Sequence, residues 1–184
     1  MGQRSRGFTL VELVVTIAVI GILVGVSMFT YRDAWPGIQV KAAARQLMGN
    51  VQRARLAAMS TNNTATITFN VTSNSYTVAV GTSTENFPMS TEFPNVQFGA
   101  LSGTTAFNTT RGLGSGNNGL TLPGTSPTYS FTIDRRGRPS ADGEIYLIAL
   151  RDVQKTRRDR TYCVTVSQIG AFRLLRYSTT GVWN

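Results

Sequence analysis

The stretch Arg6-Gly7-Phe8-Thr9-Leu10-Val11-Glu12-Leu13 opens an apolar run that continues to about Tyr31. The 24 residues from Phe8 to Tyr31 contain no Lys, Arg or Asp, and only one Glu. As a helix rising about 1.5 Å per residue the run is about 36 Å long, and the hydrocarbon core of a bilayer is about 30 Å thick. The run therefore predicts a membrane-spanning helix.

A cleaved secretory signal is the nearest alternative, because Arg4 and Arg6 give the chain a positive front end. Such a signal has an apolar region of only about 7 to 15 residues, which ends at a small-x-small cleavage site. Here the apolar run is longer, and the small residue, Gly7, precedes it. The positive-inside rule predicts residues 1–7 in the cytoplasm and everything after Tyr31 on the other side of the membrane.

Glu12 is the one charged residue within the apolar run. A charged side chain costs about 2.5–3.5 kcal/mol at the centre of a bilayer and less near the headgroups, so a carboxylate there is a functional hypothesis by default. The alternative is that Glu12 lies at the interface and is merely solvated. Physical chemistry alone leaves both interpretations open.

The segment from Gly7 to Leu13 resembles the type III signal of type IV pilins and of the pseudopilins of type II secretion systems. The resemblance implies that a prepilin peptidase cuts after Gly7 and methylates the new N-terminal Phe8. It also implies a partner for Glu12, namely the N-terminal ammonium of a neighbouring subunit in a filament. A buried pair of this kind specifies register more than it adds stability.

Four segments are expected from this signal and the pattern that follows it. They are a leader at residues 1–7, the transmembrane half of an N-terminal helix at 8–31, an amphipathic helix at 32–61, and a periplasmic antiparallel β domain at 62–184. Loss of Arg4 and Arg6 with the leader would lower the net charge from +9 to 16 basic minus 9 acidic residues, or +7. The mature chain would remain strongly basic.

The amphipathic helix is predicted from apolar residues that recur at steps of three and four. These residues are Val40, Ala44, Leu47, Val51, Ala54 and Ala58. The nearby cations Lys41, Arg45, Arg53 and Arg55 are expected on a solvated face. Pro36 predicts a kink or short break around 34–37, because proline removes a backbone donor and disfavours helix at the preceding residue.

Ala54-Arg55-Leu56-Ala57-Ala58, which leads into a strand pattern at 65–69, resembles the GspH/FimT-type minor pilins. Phe131 with Gly137-x-Pro139 is similar to the same family, whereas Ala57 stands where that family often carries Glu. The resemblance implies an α+β, pilin-like fold, with a long N-terminal helix packed on a small antiparallel β domain.

Alternating apolar residues predict a hairpin at 64–71 and 76–80, with one buried face. Residues 81–127 are rich in Gly, Ser, Thr and Asn, and predict long loops with a strand only at 96–101. Further strands are expected at 129–133, 144–150, 162–166 and 172–177. Cys163 is expected to be a structural thiol in or beside the last hairpin.

The composition argues against an enzyme, and neither catalytic residues, a cofactor nor a metal site is predicted. Histidine is absent, and a single cysteine excludes an internal disulfide. A nucleophile would need a base, and the scattered carboxylates such as Asp134 and Asp142 are better explained as turn residues.

The strongest remaining signal is basic charge near the C-terminus, where residues 134–184 hold ten basic and five acidic residues. Such a surface binds nucleic acid by neutralising phosphates and releasing counterions. The candidate DNA-binding residues are Arg157, Arg158, Arg160, Arg173 and Arg176. A solvated basic surface, or one that docks an acidic neighbouring subunit, explains the charge equally well. FimT-like pilins implicated in DNA binding carry a Gly-Arg-x-Arg motif, which Gly170-Ala171-Phe172-Arg173 does not match.

The combined expectation is a minor pilin in a type IV pilus or related filament, anchored in the bacterial inner membrane with its β domain in the periplasm. A pseudopilin of a type II secretion system is the first alternative, and a DNA-binding pilin for natural transformation is the second. The expected partners are prepilin peptidase, other pilin or pseudopilin subunits and the membrane, with DNA as a further candidate.

Overall fold

A computed structural model describes residues 8–101, 104, 106–107, 119–178 and 180–184, without the side chains of residues 29 and 30. Contacts between residues divide the chain into two units, Met1–Trp35 and Pro36–Asn184. The first contains the apolar run, and the second contains the core and both sheets.

Helix α1 is assigned over Leu10–Thr61, with Pro36 inside it. The short break predicted around 34–37 is therefore wrong, and a kink there stays a prediction. Proline in a helix interior costs about 3 kcal/mol, and the long helical segments on either side supply enough hydrogen bonds to offset this. The helix ends where expected, since Asn62 has a left-handed φ of 54°.

The first part of α1, Leu10–Met28, is long and apolar enough to cross a membrane, with a mean hydropathy of 2.6. None of this segment is buried by the rest of the chain. Its apolar surface would therefore have to be covered by lipid or by other helices.

The second part of α1 carries the predicted apolar stripe, and every member of that stripe is buried. Relative exposure is 0% for Val40, Ala44, Leu47, Val51 and Ala58, and 2% for Ala54. The stripe belongs to one apolar cluster with residues of both sheets, including Ile67 and Leu147. Periodicity alone thus located the face of α1 that packs on the β domain.

The first sheet has five antiparallel strands in the order β3-β2-β1-β6-β5. Its strands are β1 (Ala65–Asn70), β2 (Ser75–Val80), β3 (Ser83–Pro88), β5 (Gly124–Thr125) and β6 (Thr128–Ile133). The predicted hairpin is confirmed as β1 and β2, and β1 alternates buried and half-buried residues. The prediction that 81–127 holds only one strand is wrong, because β3 lies at the sheet edge with a polar sequence that shows no alternation.

The second sheet has four antiparallel strands in the order β4-β7-β8-β9. These are β4 (Val96–Phe98), β7 (Gly143–Ala149), β8 (Tyr162–Val166) and β9 (Phe172–Arg176). Strand β4 is shorter than predicted, and Leu150 begins the short helix α3 (Leu150–Gln154) rather than ending a strand. A second short helix, α2 (Met89–Glu92), precedes β4. All residues of β7 and β8 are buried, so these two strands are covered on both faces.

Arg55 departs from the solvated face predicted for it. Its Nη1 donates a hydrogen bond to the carbonyl oxygen of Gly170 at 2.9 Å, and its guanidinium carbon lies 5.7 Å from the centroid of the Phe172 ring. A Cβ added at Gly137 would lie 2.8 Å from Arg55 Nε. The guanidinium thus joins the end of α1 to the β6–β7 and β8–β9 turns, and the absence of a side chain at Gly137 makes room for it.

Candidate processing segment and arginine-lined cleft

The first described residues, Phe8 and Thr9, precede α1, and Phe8 is 78% exposed. The predicted cleavage residue, Gly7, lies outside the described residues. The Glu12 N–H donates a hydrogen bond to Thr9 Oγ1 at 3.2 Å, so Thr9 caps the helix. Thr9 and Glu12 have the spacing of a capping box, in which the fourth residue of the motif is acidic.

Glu12 is exposed and lies in the first turn of α1. A carboxylate in the first turn interacts favourably with the positive end of the helix dipole, by about 0.3–1 kcal/mol. The residue therefore has a local role within its own helix as well as the intermolecular one predicted for it. The dipole interaction and the predicted pairing both depend on its negative charge, whereas the capping-box spacing also accepts Gln.

The five candidate DNA-binding arginines do not form one surface. Arg157, Arg158 and Arg160 follow α3 in the loop that leads to β8, as predicted. Arg173 and Arg176 lie on β9 three residues apart, which places their side chains on opposite faces of the strand. Arg173 lines a pocket with Glu144 and Thr165, away from the loop arginines.

Arg160 points into the protein. Its Nη1 lies 3.6 Å from Asp152 Oδ1, and its side chain is only 15% exposed while that of Asp152 is 1% exposed. The aliphatic part of Arg160 packs on α1, where a Cβ added at Gly37 would lie 3.1 Å from Arg160 Cδ. The buried carboxylate of Asp152 thus holds the guanidinium of Arg160, and a DNA-binding role for Arg160 stays a prediction.

Arg176 is directed at the same loop. Its Nε donates to the carbonyl oxygen of Asp159 at 3.0 Å, and its Nη2 lies 4.0 Å from Asp159 Oδ2. The Arg157 N–H also donates to the backbone oxygen of Asp152 at 2.9 Å, and the Thr161 N–H to that of Arg158 at 3.0 Å. These bonds fix the backbone of the loop from α3 on one side and from β9 on the other.

Arg157 and Arg158 line an open cleft of about 450 Å³. The other lining residues are Thr156, Asp159, Tyr177, Ser178, Thr180 and Gly181. Arginine and hydroxyl side chains are of the types that bind a phosphate-sized anion, and Asp159 is the one acidic member of this set. The hydroxyl groups of Ser178 and Thr180 are hydrogen-bonded to each other at 2.7 Å. We call this site the arginine-lined cleft.

The sequence did not reveal the contributions of Asp152 and the C-terminal hydroxyls to this site. Asp152 is one of five scattered acidic residues in the C-terminal segment, with no motif around it. Ser178 and Thr180 follow the last strand in a polar tail that resembles any solvated terminus. The contribution of these residues is visible only in the folded structure, where the C-terminal tail lies beside the α3–β8 loop.

The other polar groups of the β domain have structural surroundings. Backbone N–H groups of Arg138 and Arg136 donate to Asp134 Oδ1 and hold the pKa of that carboxyl below its ordinary value. Burial raises the pKa of the Cys163 thiol well above its ordinary value. Asp134 thus has the predicted turn role, and Cys163 lies within β8. Within the described ranges, no group of three or more His, Cys, Asp or Glu residues is arranged to hold a metal ion.

Comparison with known proteins identifies the N-terminal segment. Residues 2–28 match the family model described as the prokaryotic N-terminal methylation motif. No curated protein sequence matches the chain significantly. Among solved structures, the chain is similar to the minor pseudopilin EpsH from the type 2 secretion system of Vibrio cholerae, with 13% identity and a TM-score of 0.49. That likeness covers 75% of this chain and 97% of the other, and at this level it does not by itself assign a function.

Residues 2–28 therefore carry the prokaryotic N-terminal methylation motif, as the residues around Gly7 predicted. The motif overlaps the apolar part of α1, and the remaining chain forms an α+β domain, so the predicted fold class is also confirmed.

Proposed function

We propose that this chain is a structural subunit of a type IV pilus or a related filament, a minor pilin or pseudopilin rather than an enzyme. The observation that carries the proposal is the methylation motif at residues 2–28, which overlaps an apolar helix that the rest of the chain leaves uncovered. Prepilin peptidase cuts after Gly7 and methylates Phe8. The mature subunit then joins other subunits through the apolar part of α1.

Before assembly the subunit is anchored in the bacterial inner membrane, with its N-terminus in the cytoplasm and its β domain in the periplasm. Arg4 and Arg6 on the short side of the span support this orientation through the positive-inside rule. Cohesion in the filament comes from helix packing. Register comes from the Glu12 carboxylate and the N-terminal ammonium of a neighbouring subunit.

Processing is tested by co-expressing the full chain with a prepilin peptidase and measuring the mass of the product. The expected product begins at Phe8 and is one methyl group heavier than the unmodified peptide. A Gly7→Glu variant should remain full length, because the peptidase can no longer act at that bond. Cleavage at another position in the unaltered chain would refute the assigned processing site.

Assembly is tested with two Glu12 variants that differ in what they keep. Glu12→Gln keeps the size of the side chain and its hydrogen-bonding oxygen, whereas Glu12→Ala keeps neither. If the carboxylate pairs with an ammonium, both variants should be processed and inserted but absent from filaments. Incorporation of Glu12→Gln at the level of the unaltered chain would contradict the charge pairing and leave only a local role in helix capping.

The subunit serves a pilus or, as the alternative, a type II secretion system that exports folded proteins. The net charge of +7 after cleavage favours the pilus, because a secretion piston does not require a basic surface. Deleting the gene in the host distinguishes these two roles. Loss of pili would support a role in a pilus, and loss of protein secretion would support a role in a type II secretion system. DNA uptake through the C-terminal arginines stays a prediction, with fewer residues in its favour now that Arg160 and Arg173 point away from the arginine-lined cleft.

A further inference from the structure

The loop of the arginine-lined cleft packs on Gly37, a residue that follows the membrane span closely in the chain. The candidate span ends at Met28, and Tyr31 and Trp35 follow it. Their rings lie 5.2 Å apart, and the side chains are 58% and 41% exposed. Tyr and Trp are enriched where a helix leaves the hydrocarbon and enters the headgroup region. This pair therefore marks the membrane–water interface at residues 31–35.

The chain fixes the distance from that interface to the second unit. Gly37 is two residues after Trp35, so the two Cα atoms are at most about 7 Å apart whatever the arrangement of the units. The side chain of Arg160 packs directly on Gly37. The loop that carries Arg157 and Arg158 is thus held beside the first residues that follow the interface.

From this placement we infer that the arginine-lined cleft binds the headgroups of anionic phospholipids while the subunit is in the membrane. The ligand chemistry is a phosphodiester in a lipid surface, taken up by the two guanidinium groups and neighbouring hydroxyls of the cleft. Arg160 is a positioning residue, because its pair with Asp152 holds the loop against Gly37. Lys155, which is exposed in the same loop, adds a further cation.

A lipid surface suits this site better than nucleic acid does. Basic residues next to a membrane span are attracted to anionic lipid over only about one Debye length. Arg160 of this loop packs on Gly37, two residues after Trp35. A DNA-binding surface would be expected to extend over several phosphates. Here Arg173 lies on another face, and Arg160 and Arg176 are directed at Asp152 and Asp159.

This inference rests on the membrane span of the proposed function but not on filament assembly. The test uses the full chain in nanodiscs of phosphatidylcholine, with or without phosphatidylglycerol as a minor component. Hydrogen exchange at the amides of residues 155–161 is measured at low and high salt. Exchange should be slower in the anionic discs, by about fivefold for each arginine that reaches the headgroups, and the difference should disappear at high salt.

A matched pair of variants tests whether the cleft is responsible. Arg157→Glu with Arg158→Glu should abolish the lipid-dependent protection. Arg135→Glu with Arg136→Glu makes the same change in net charge on the exposed β6–β7 turn. This control variant should retain the lipid-dependent protection. That turn contacts Arg55, which is 18 residues beyond Gly37, or about 27 Å along α1. Near-ultraviolet circular dichroism checks that both variants are folded.

Each result decides the inference. Equal exchange in neutral and anionic discs for an inserted, unaltered chain would overturn it while leaving filament assembly untouched. Loss of protection in both double variants would also overturn it, because net charge alone would then be responsible. The cleft would be assigned to nucleic acid if anionic lipid had no effect on hydrogen exchange and a duplex DNA bound the chain in phosphatidylcholine discs. That binding would have to be salt-sensitive and lost in the Arg157→Glu, Arg158→Glu variant. A chain that fails to enter discs at all would refute the span and the inference together.

Discussion

Arg55 and Arg53 offer a direct comparison between a partly buried and an exposed arginine on the same helix. Each guanidinium carbon lies near an aromatic ring, at 5.7 Å from that of Phe172 for Arg55 and 5.9 Å from that of Phe87 for Arg53. Arg55 donates to a backbone carbonyl in a partly buried site. Arg53 instead forms an ion pair with Glu85 in which both side chains are more than half exposed. We predict that Arg55→Ala destabilises the β domain and that Arg53→Ala has little effect.

The size of the effect follows from the separate contacts. A hydrogen bond from a charged donor contributes about 1.5–3 kcal/mol, and a cation–π contact about 0.5–2 kcal/mol depending on its exposure. Arg55 Nε is buried without an acceptor among the described residues, and removing it recovers about 1–3 kcal/mol. The expected loss of unfolding free energy for Arg55→Ala is therefore about 1–2 kcal/mol. For Arg53→Ala, an exposed ion pair contributes about 0–1 kcal/mol and an exposed cation–π contact about 0.5 kcal/mol, and water screens both, so the expected loss is about 0.5–1 kcal/mol.

Urea unfolding of the full chain in mild detergent, followed by near-ultraviolet circular dichroism, measures both variants. The midpoint should fall for Arg55→Ala with little change in slope, since the surface exposed on unfolding is nearly the same. The midpoint of Arg55→Lys should lie between those of Arg55→Ala and the unaltered chain, because lysine keeps the charge but lacks the planar guanidinium group. Equal losses for Arg55→Ala and Arg53→Ala would refute the idea that docking onto the two turns is what makes Arg55 important.

Two further predictions concern single groups in the β domain. Cys163 is fully buried and burial raises its pKa, so maleimide should label it slowly in the folded chain and readily after unfolding, and rapid labelling of folded protein would contradict its placement in β8. Hydrogen bonds from the Arg138 and Arg136 amides lower the pKa of Asp134, so its contribution to stability is present above the unfolded-state pKa of about 3.9 and is lost as the pH falls through the folded-state value. Asp134→Asn should consequently be less stable than the unaltered chain at neutral pH, and this difference in unfolding free energy should become smaller below about pH 4. Urea unfolding at neutral pH and below about pH 4 measures the difference, and the same value at both would rule out this linkage.

The elements in which apolar residues recur at regular spacing were predictable from the sequence. The stripe from Val40 to Ala58 located the buried face of α1, and alternation located β1 and β2. Strand β3 was missed because Ser83–Pro88 is mostly exposed at a sheet edge, where no core imposes alternation on the sequence. Edge strands of this kind are defined by hydrogen bonds to their neighbour, which leave little trace in residue type.

The candidate site was predictable only in part. The methylation motif is local, so the sequence around Gly7 and Glu12 was enough to recognise it. The arginines depend on tertiary contacts. Asp152 redirects Arg160 from solvent to the interior, and the alternation of β9 separates Arg173 from Arg176. Charge composition counts such residues together, whereas the fold distributes them over different surfaces.

The polar edge of β3 affects how closely packed copies of this chain could interact. A filament would hold its subunits at a very high local concentration, and an open strand edge is a template on which a neighbouring chain can form unwanted sheet. Strand β3 presents Glu85 and Asn86 there and ends in Pro88, which has no amide proton to offer. Charge and proline are two of the means by which strand edges resist such pairing. The outer edge of this sheet therefore disfavours pairing with a sheet of another chain, which would leave the contacts between subunits of the proposed filament to the helices.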